Sequence, residues 1–156
     1  MIKRFKSEKH LSNSFVTYLR SNKDDEVYAG VPCLSRCIDL LIVRRDQESI
    51  IAVELKLSNW RRALRQAEDH LLATNFSYVC MPKRVVSSAC KEEFEKKGVG
   101  LWLFDRGKEM TLTEAIPAKE SKAIWTVARG WLMASVAKRM SPRNEKTSNQ
   151  TAAASC

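Results

Sequence analysis

Apolar residues recur along this chain at two different periods, and each change of period marks a change of element. In residues 7–21, SEKHLSNSFVTYLRS, the positions Leu11, Phe15, Tyr18 and Leu19 repeat at helical spacing, with Ser7 placed to cap the first turn. A polar turn at 22–25 leads to a short strand, VYAGV (27–31), and a bend at Pro32. RCIDLLIVRR (36–45) and SIIAVELKL (49–57) are continuous apolar runs joined by the polar turn Asp46-Gln47-Glu48-Ser49, the pattern of a hairpin. Runs apolar on both sides predict a sheet covered on both faces.

Ser58 is positioned to cap a helix over 59–73, with Trp60, Ala63, Leu64, Ala67 and Leu71 as its inner stripe and Arg61, Arg62 and Arg65 facing away. FSYVCMP (76–82) reads as a buried strand stopped by Pro82, and 87–97 as a mixed-charge helix closed by Gly98. VGLWLF (99–104) predicts a strand, 105–108 a turn and 109–115 a short edge strand. Residues 119–139 predict a long amphipathic helix with Ile124, Val127, Trp131, Leu132 and Val136 inward, and all four tryptophans read as core anchors. The tail 141–156 is polar and aperiodic and reads as disordered. The succession of elements predicts one α/β domain over residues 1–140, with no internal repeat.

At 156 residues, 44% hydrophobic and 29% charged, the composition is that of a globular protein with a single core. Lys plus Arg number 27 against 18 acids, and this net +9 favours a polyanionic partner, nucleic acid or an acidic surface. No apolar stretch reaches the roughly 18 residues of a membrane span, and the basic N-terminus runs into a helix, so a cytoplasmic protein with no membrane partner is expected. Of the five cysteines, Cys37, Cys80 and Cys90 sit in apolar or amphipathic surroundings and read as packed thiols. Cys33 and Cys37 have no second pair to complete a zinc site.

Charges inside the two central runs change this picture. Asp39 interrupts CIDLLIV, and Glu54-Leu55-Lys56 ends SIIAVELKL. Residues two apart on a strand share a face, so Glu54 and Lys56 are expected on one side with Leu55 on the other. Folding the hairpin about residues 47 and 48 brings Asp39 near their level. Two carboxylates in an apolar setting repel, and one tends to stay protonated unless a divalent cation relieves the conflict. Hard oxygen ligands suit Mg2+ or Mn2+, and the backbone carbonyl of Leu55 at the strand end is a further ligand candidate. Lys56 beside such an ion suits a role in orienting water or offsetting charge on a phosphate.

Asp39, a gap of fourteen residues, then Glu54-Leu55-Lys56 closing an apolar strand resembles the PD-(D/E)XK nuclease superfamily. The resemblance covers about half the chain and implies an αβββαβ restriction-endonuclease-like core, here with extra C-terminal strands and a long helix. It implies a Mg2+- or Mn2+-dependent deoxyribonuclease, an endonuclease rather than an exonuclease, in restriction, repair, recombination or mobile-element processing. It also implies DNA as partner and a homodimer as a working form. Carried over by position, Asp39 and Glu54 would hold metal and Lys56 would position or activate the attacking water. Glu8, on the same side of the first helix as Leu11, Phe15 and Leu19, and Gln66, beside the stripe of the helix after Lys56, match positions where relatives place supporting polar residues. Ile38 stands where the family's literal pattern has Pro.

Each signal has a plainer counterpart. Glu54 and Lys56 suit a surface ion pair at a strand end, Glu8 a first-turn acid favoured by the helix dipole, and Gln66 a bond to a neighbouring loop. His10 and His70 read as surface or boundary residues. Arg61, Arg62 and Arg65, with Arg44 and Arg45 extending the track toward Lys83 and Arg84, suit phosphate contacts or simply solvent. Arg129, Lys138 and Arg139 on the last helix leave DNA, a dimer partner and the core all open. A non-catalytic nucleic-acid-binding module on the same fold is the alternative, and a partner-binding domain without nucleic acid is a third.

Overall fold

A computed structural model describes residues 4–140, so the tail 141–156 lies outside the described residues. The chain runs α1 (Glu8–Arg20), β1 (Asp25–Cys33), β2 (Arg36–Arg44), β3 (Ser49–Leu55), α2 (Trp60–His70), β4 (Phe76–Pro82), α3 (Ser88–Lys97), β5 (Gly100–Arg106), β6 (Met110–Ile116) and α4 (Thr126–Met140). The six strands form one mixed sheet in sequence order. β1, β2 and β3 are antiparallel neighbours, β3, β4 and β5 are parallel with α2 and α3 as crossovers, and β6 returns antiparallel to β5. This is the mixed α/β class that the alternation of periods predicts.

The faces follow from strand parity. Leu40, Ile42, Ile51, Val53 and Leu55 point toward α1, whose Leu11, Phe15 and Leu19 complete that layer. Leu41, Val43, Ile50 and Ala52 point the opposite way, under Ala128, Leu132 and Val136 of α4. Farther along the same face, Val79, Met81, Leu101 and Leu103 pack under α2 and α3. Every residue of β3 is therefore buried, because its two faces are covered by different helices.

Two local expectations change. The N-cap of α2 is Asn59 and not Ser58; Asn59 adopts φ 55° and accepts from Arg62 N, a left-handed conformation that asparagine tolerates better than serine. The last helix begins at Thr126, and residues 119–125 are irregular, tied down by Ser121 N to Asn75 O (2.7 Å) and Trp125 N to Leu72 O (2.8 Å). Its buried stripe is Ala128, Leu132 and Val136, one i,i+4 row against β1 and β2. Ile124, Val127 and Trp131, expected inward, are exposed, as is Trp125, so only Trp60 and Trp102 serve as packed tryptophans. Arg129 turns into the body, donating to Ala73 O and Asn75 Oδ1. Arg139 donates to the carbonyls of Ala29 and Gly30. Both cations hold α4 to the domain.

Candidate active site

β2 and β3 pair up to Leu40 opposite Val53, and one step beyond that pair stand Asp39 and Glu54. By parity both side chains leave the sheet on the α2 side. Asp39 takes over where backbone pairing stops: its Oδ2 accepts from Leu55 N at 2.8 Å. Glu54 Oε2 lies 3.0 Å from His70 Nε2, and these side chains are 7% and 2% exposed. The two carboxylates, Gln66 and His70 line one cleft of about 300 Å³, with Arg36 at its border. Arg36 forms an ion pair with Asp69, bridging the start of β2 and the last turn of α2.

Burial holds the Asp39 carboxyl far above its ordinary value, at about 7, and the negative charge of Glu54 pushes in the same direction. The Leu55 N–H and His70 oppose this with smaller effects. This is the conflict expected of two carboxylates in an apolar setting.

Gln66 sits four residues before His70 on α2, so both reach toward the end of β3. Its Oε1 is the buried side-chain oxygen or nitrogen among the described residues that finds no hydrogen-bond partner. A buried amide oxygen without a donor is costly, and a cation beside it removes the cost.

Lys56 behaves differently from the expectation. The strand ends at Leu55, Lys56 N bonds to Cys80 O at 3.1 Å, and its Nζ lies 3.4 Å from Glu8 Oε1 at the head of α1. Strict alternation would put Lys56 on the Glu54 side, but Lys56 is the residue after the last of β3, and its long side chain reaches Glu8. Lys56 thus meets Glu8 at the head of α1, whereas Glu54 meets His70 on α2.

The basic positions scatter. Arg44 and Arg45 pair with Asp25 and Glu26 at the turn end of the hairpin, five and six residues from Asp39 and so roughly 17–20 Å along the strand. Arg61 stacks over Trp60 at 4.2 Å and, with Arg65, lines a groove between α2 and α3 that also contains Glu92 and Glu93. Arg62 is exposed on the turn of α2 before Gln66. None of Arg44, Arg45, Arg61 or Arg65 borders the carboxylate cleft.

His70 is the residue the sequence reading missed. It is 1% exposed, not a surface or boundary group. The signal existed: His70 follows Ala63 and Ala67 at i+7 and i+3, which places it on the buried stripe. Cys80 and Cys90 are buried free thiols, as expected, and so is Cys33.

The donor set fits a hard divalent ion. Two carboxylates and a neutral amide oxygen converge, and Mg2+ completes its shell with water and phosphate oxygens. Among the described residues no three His, Cys, Asp or Glu side chains form a ready ligand cluster, so substrate and water oxygens would complete the shell.

No family model matches the chain, and no curated protein is similar to it. Among solved structures it is similar to a protein of unknown function from Silicibacter pomeroyi, with a TM-score of 0.57 and 16% identity over 85% of each chain. At that identity the likeness concerns the fold alone. Among the described residues no helix is long and apolar enough to cross a membrane.

Proposed function

We propose that this protein is a metal-dependent DNA nuclease. The observation that carries the reading is the pairing of Asp39 and Glu54 at the end of the β2–β3 ladder, in a cleft where Gln66 Oε1 is buried without a donor. Asp39 and Glu54 would hold Mg2+ or Mn2+, with Gln66 Oε1 and the Leu55 carbonyl as neutral oxygen donors. Such an ion polarises a phosphoryl oxygen and makes bound water a stronger nucleophile. His70 fixes the Glu54 carboxylate. Lys56, steadied by Glu8 at the strand end, offsets charge that develops on the phosphate or orients the attacking water. The net charge of +9 supplies attraction to the polyanion. The family resemblance favours endonucleolytic cutting by a pair of copies.

One observation favours a second reading, a nucleic-acid-binding module without catalysis. Lys56, Glu54 and Asp39 each already have a protein partner: Glu8, His70 and Leu55 N. The discriminating experiment is DNA cleavage with Mg2+ or Mn2+ on linear, supercoiled, flap and junction substrates, comparing wild type with Lys56→Ala. Cleavage lost in the variant and in EDTA supports the nuclease. Binding that is equal in both proteins, with no cutting by either, supports the module and overturns the nuclease.

A further inference from the structure

A second cavity, of about 630 Å³, opens where the parallel strands end. Leu57 follows β3, Lys83 and Arg84 follow β4, Phe104 and Asp105 lie near the end of β5, and Arg4 and Phe5 precede α1. The carboxyl ends of parallel strands are where open α/β sheets commonly take ligands.

The chemistry of the lining is selective. Three cations face one acid, and that acid, Asp105, is 3.8 Å from Lys83. The rings of Phe5 and Phe104 stack at 5.8 Å with an interplanar angle of 26°. Phe104 is fully buried, so Phe5, half-buried over it, is the ring left to receive a base. Cations that grip phosphate beside such a ring are what single-stranded nucleic acid binds. The volume is sufficient for one nucleotide. A base still stacked in a duplex cannot offer its face to a protein ring, so the nucleotide must be unpaired.

The cavity also stands beside the proposed chemistry. Leu57 follows Lys56 directly, and Phe5 is three residues before its partner Glu8. We infer that this cavity holds one unpaired nucleotide of the DNA strand adjacent to the scissile bond, so that the substrate class is DNA with a single-stranded or opened segment. The orientation of the strand rests on the nuclease reading; the binding of the nucleotide does not.

The test uses the full chain in EDTA, so that binding is read without cleavage. A fluorescent single-stranded oligonucleotide is compared with a blunt duplex of the same sequence by anisotropy across a salt series. Wild type is expected to prefer the single strand by about tenfold or more. Lys83→Ala with Arg84→Ala, both exposed, should lower the magnitude of the single-strand salt slope by about 1.4. Phe5→Leu, which keeps apolar volume, should weaken single-strand binding and leave duplex binding unchanged. Thermal unfolding of each variant checks the fold, and the exposed pair carries the test if Phe5→Leu does not fold.

Equal affinity for single strand and duplex overturns the inference, as does a double variant that binds like wild type. Displacement of the oligonucleotide by a deoxynucleoside monophosphate at lower concentration than by unlabelled single strand overturns it in favour of a small-molecule pocket. Parallel Mn2+ cleavage assays separate the two ideas. Wild type that binds the single strand through these residues but never cuts sinks the nuclease and leaves the cavity. Wild type that cuts, with both variants binding normally, does the reverse.

Discussion

His70 Nε2 meets Glu54 Oε2 at 3.0 Å in a place nearly closed to solvent. The contact joins the last turn of α2 to the end of β3 and fixes the carboxylate that the proposed chemistry needs. Removing the imidazole leaves Glu54 buried without this partner, and such a loss costs about 1–3 kcal/mol. His70→Ala should therefore lower the urea midpoint of unfolding and weaken Mn2+ binding as well. His70→Gln, which keeps a donor, should recover part of both. A His70→Ala protein as stable as wild type would show that the contact contributes little.

Asp39 gives a pH signature with a definite sign. Its carboxyl titrates at about 7 in the folded chain against an ordinary value of 3.8. Between these values the folded state keeps a proton that the unfolded state has released. The stability associated with this group is complete below about pH 4 and is lost as pH rises through about 7. Asp39→Asn keeps an acceptor for Leu55 N and removes the charge. It should flatten that decline and be the more stable protein at pH 8, while losing cleavage. Urea unfolding at a series of pH values reads this directly, and parallel curves for the two proteins would contradict it.

Gln66 separates ligation from folding. Its Oε1 gains nothing from burial without a donor, so Gln66→Met should leave the metal-free fold at least as stable as wild type. Mn2+ affinity, measured by calorimetry, should fall. Unchanged affinity would place the ion away from Gln66.

Lys56→Ala separates charge from structure in the same way. The Lys56–Glu8 pair is half-exposed on the glutamate side, and pairs of that kind contribute only about 0–1 kcal/mol. Cleavage should drop by about 10²-fold or more with little change in melting temperature. Glu8→Gln should act through Lys56 and have a smaller effect on rate. A large fall in stability for Lys56→Ala would mark the lysine as structural.

Gly100 tests the packing at the far side of the sheet. A Cβ there would run into the Tyr78 ring and come within 2.8 Å of Ala118 N. Tyr78 is itself stacked on Trp102 at 4.1 Å and cannot easily yield. Gly100→Ala should destabilise by about 1–3 kcal/mol in chemical denaturation, with no effect on the cleft.

Legibility in the sequence followed the range of the interactions. Asp39 and Glu54 stood out because a charge inside a run of Ile, Leu and Val has few explanations; the hairpin arithmetic placed Asp39 near the level of Glu54 and Lys56, and the register sets it across from Glu54, one step beyond Leu40 and Val53. Ser7 and Gly98 cap α1 and α3 as read, since a cap is decided within a few residues. Arg44 and Arg45 pair with Asp25 and Glu26 on the neighbouring strand, partners that a linear pattern does not reveal. The exposed row of Val127 and Trp131 shows the same limit, because an amphipathic helix offers more than one apolar stripe and β1 with β2 chose Ala128, Leu132 and Val136.

The sequence by itself determined the α/β class, the order of elements and the two carboxylates at the strand end. Those depend on period, turn chemistry and the cost of burying charge, all of which are local. Tertiary structure decided which side chain each charge meets: His70 for Glu54, Glu8 for Lys56 and Leu55 N for Asp39. The reason is geometric. Lys56 stands just past Leu55, the last residue of β3, and which charge its ammonium meets is set by where the head of α1 packs against the sheet.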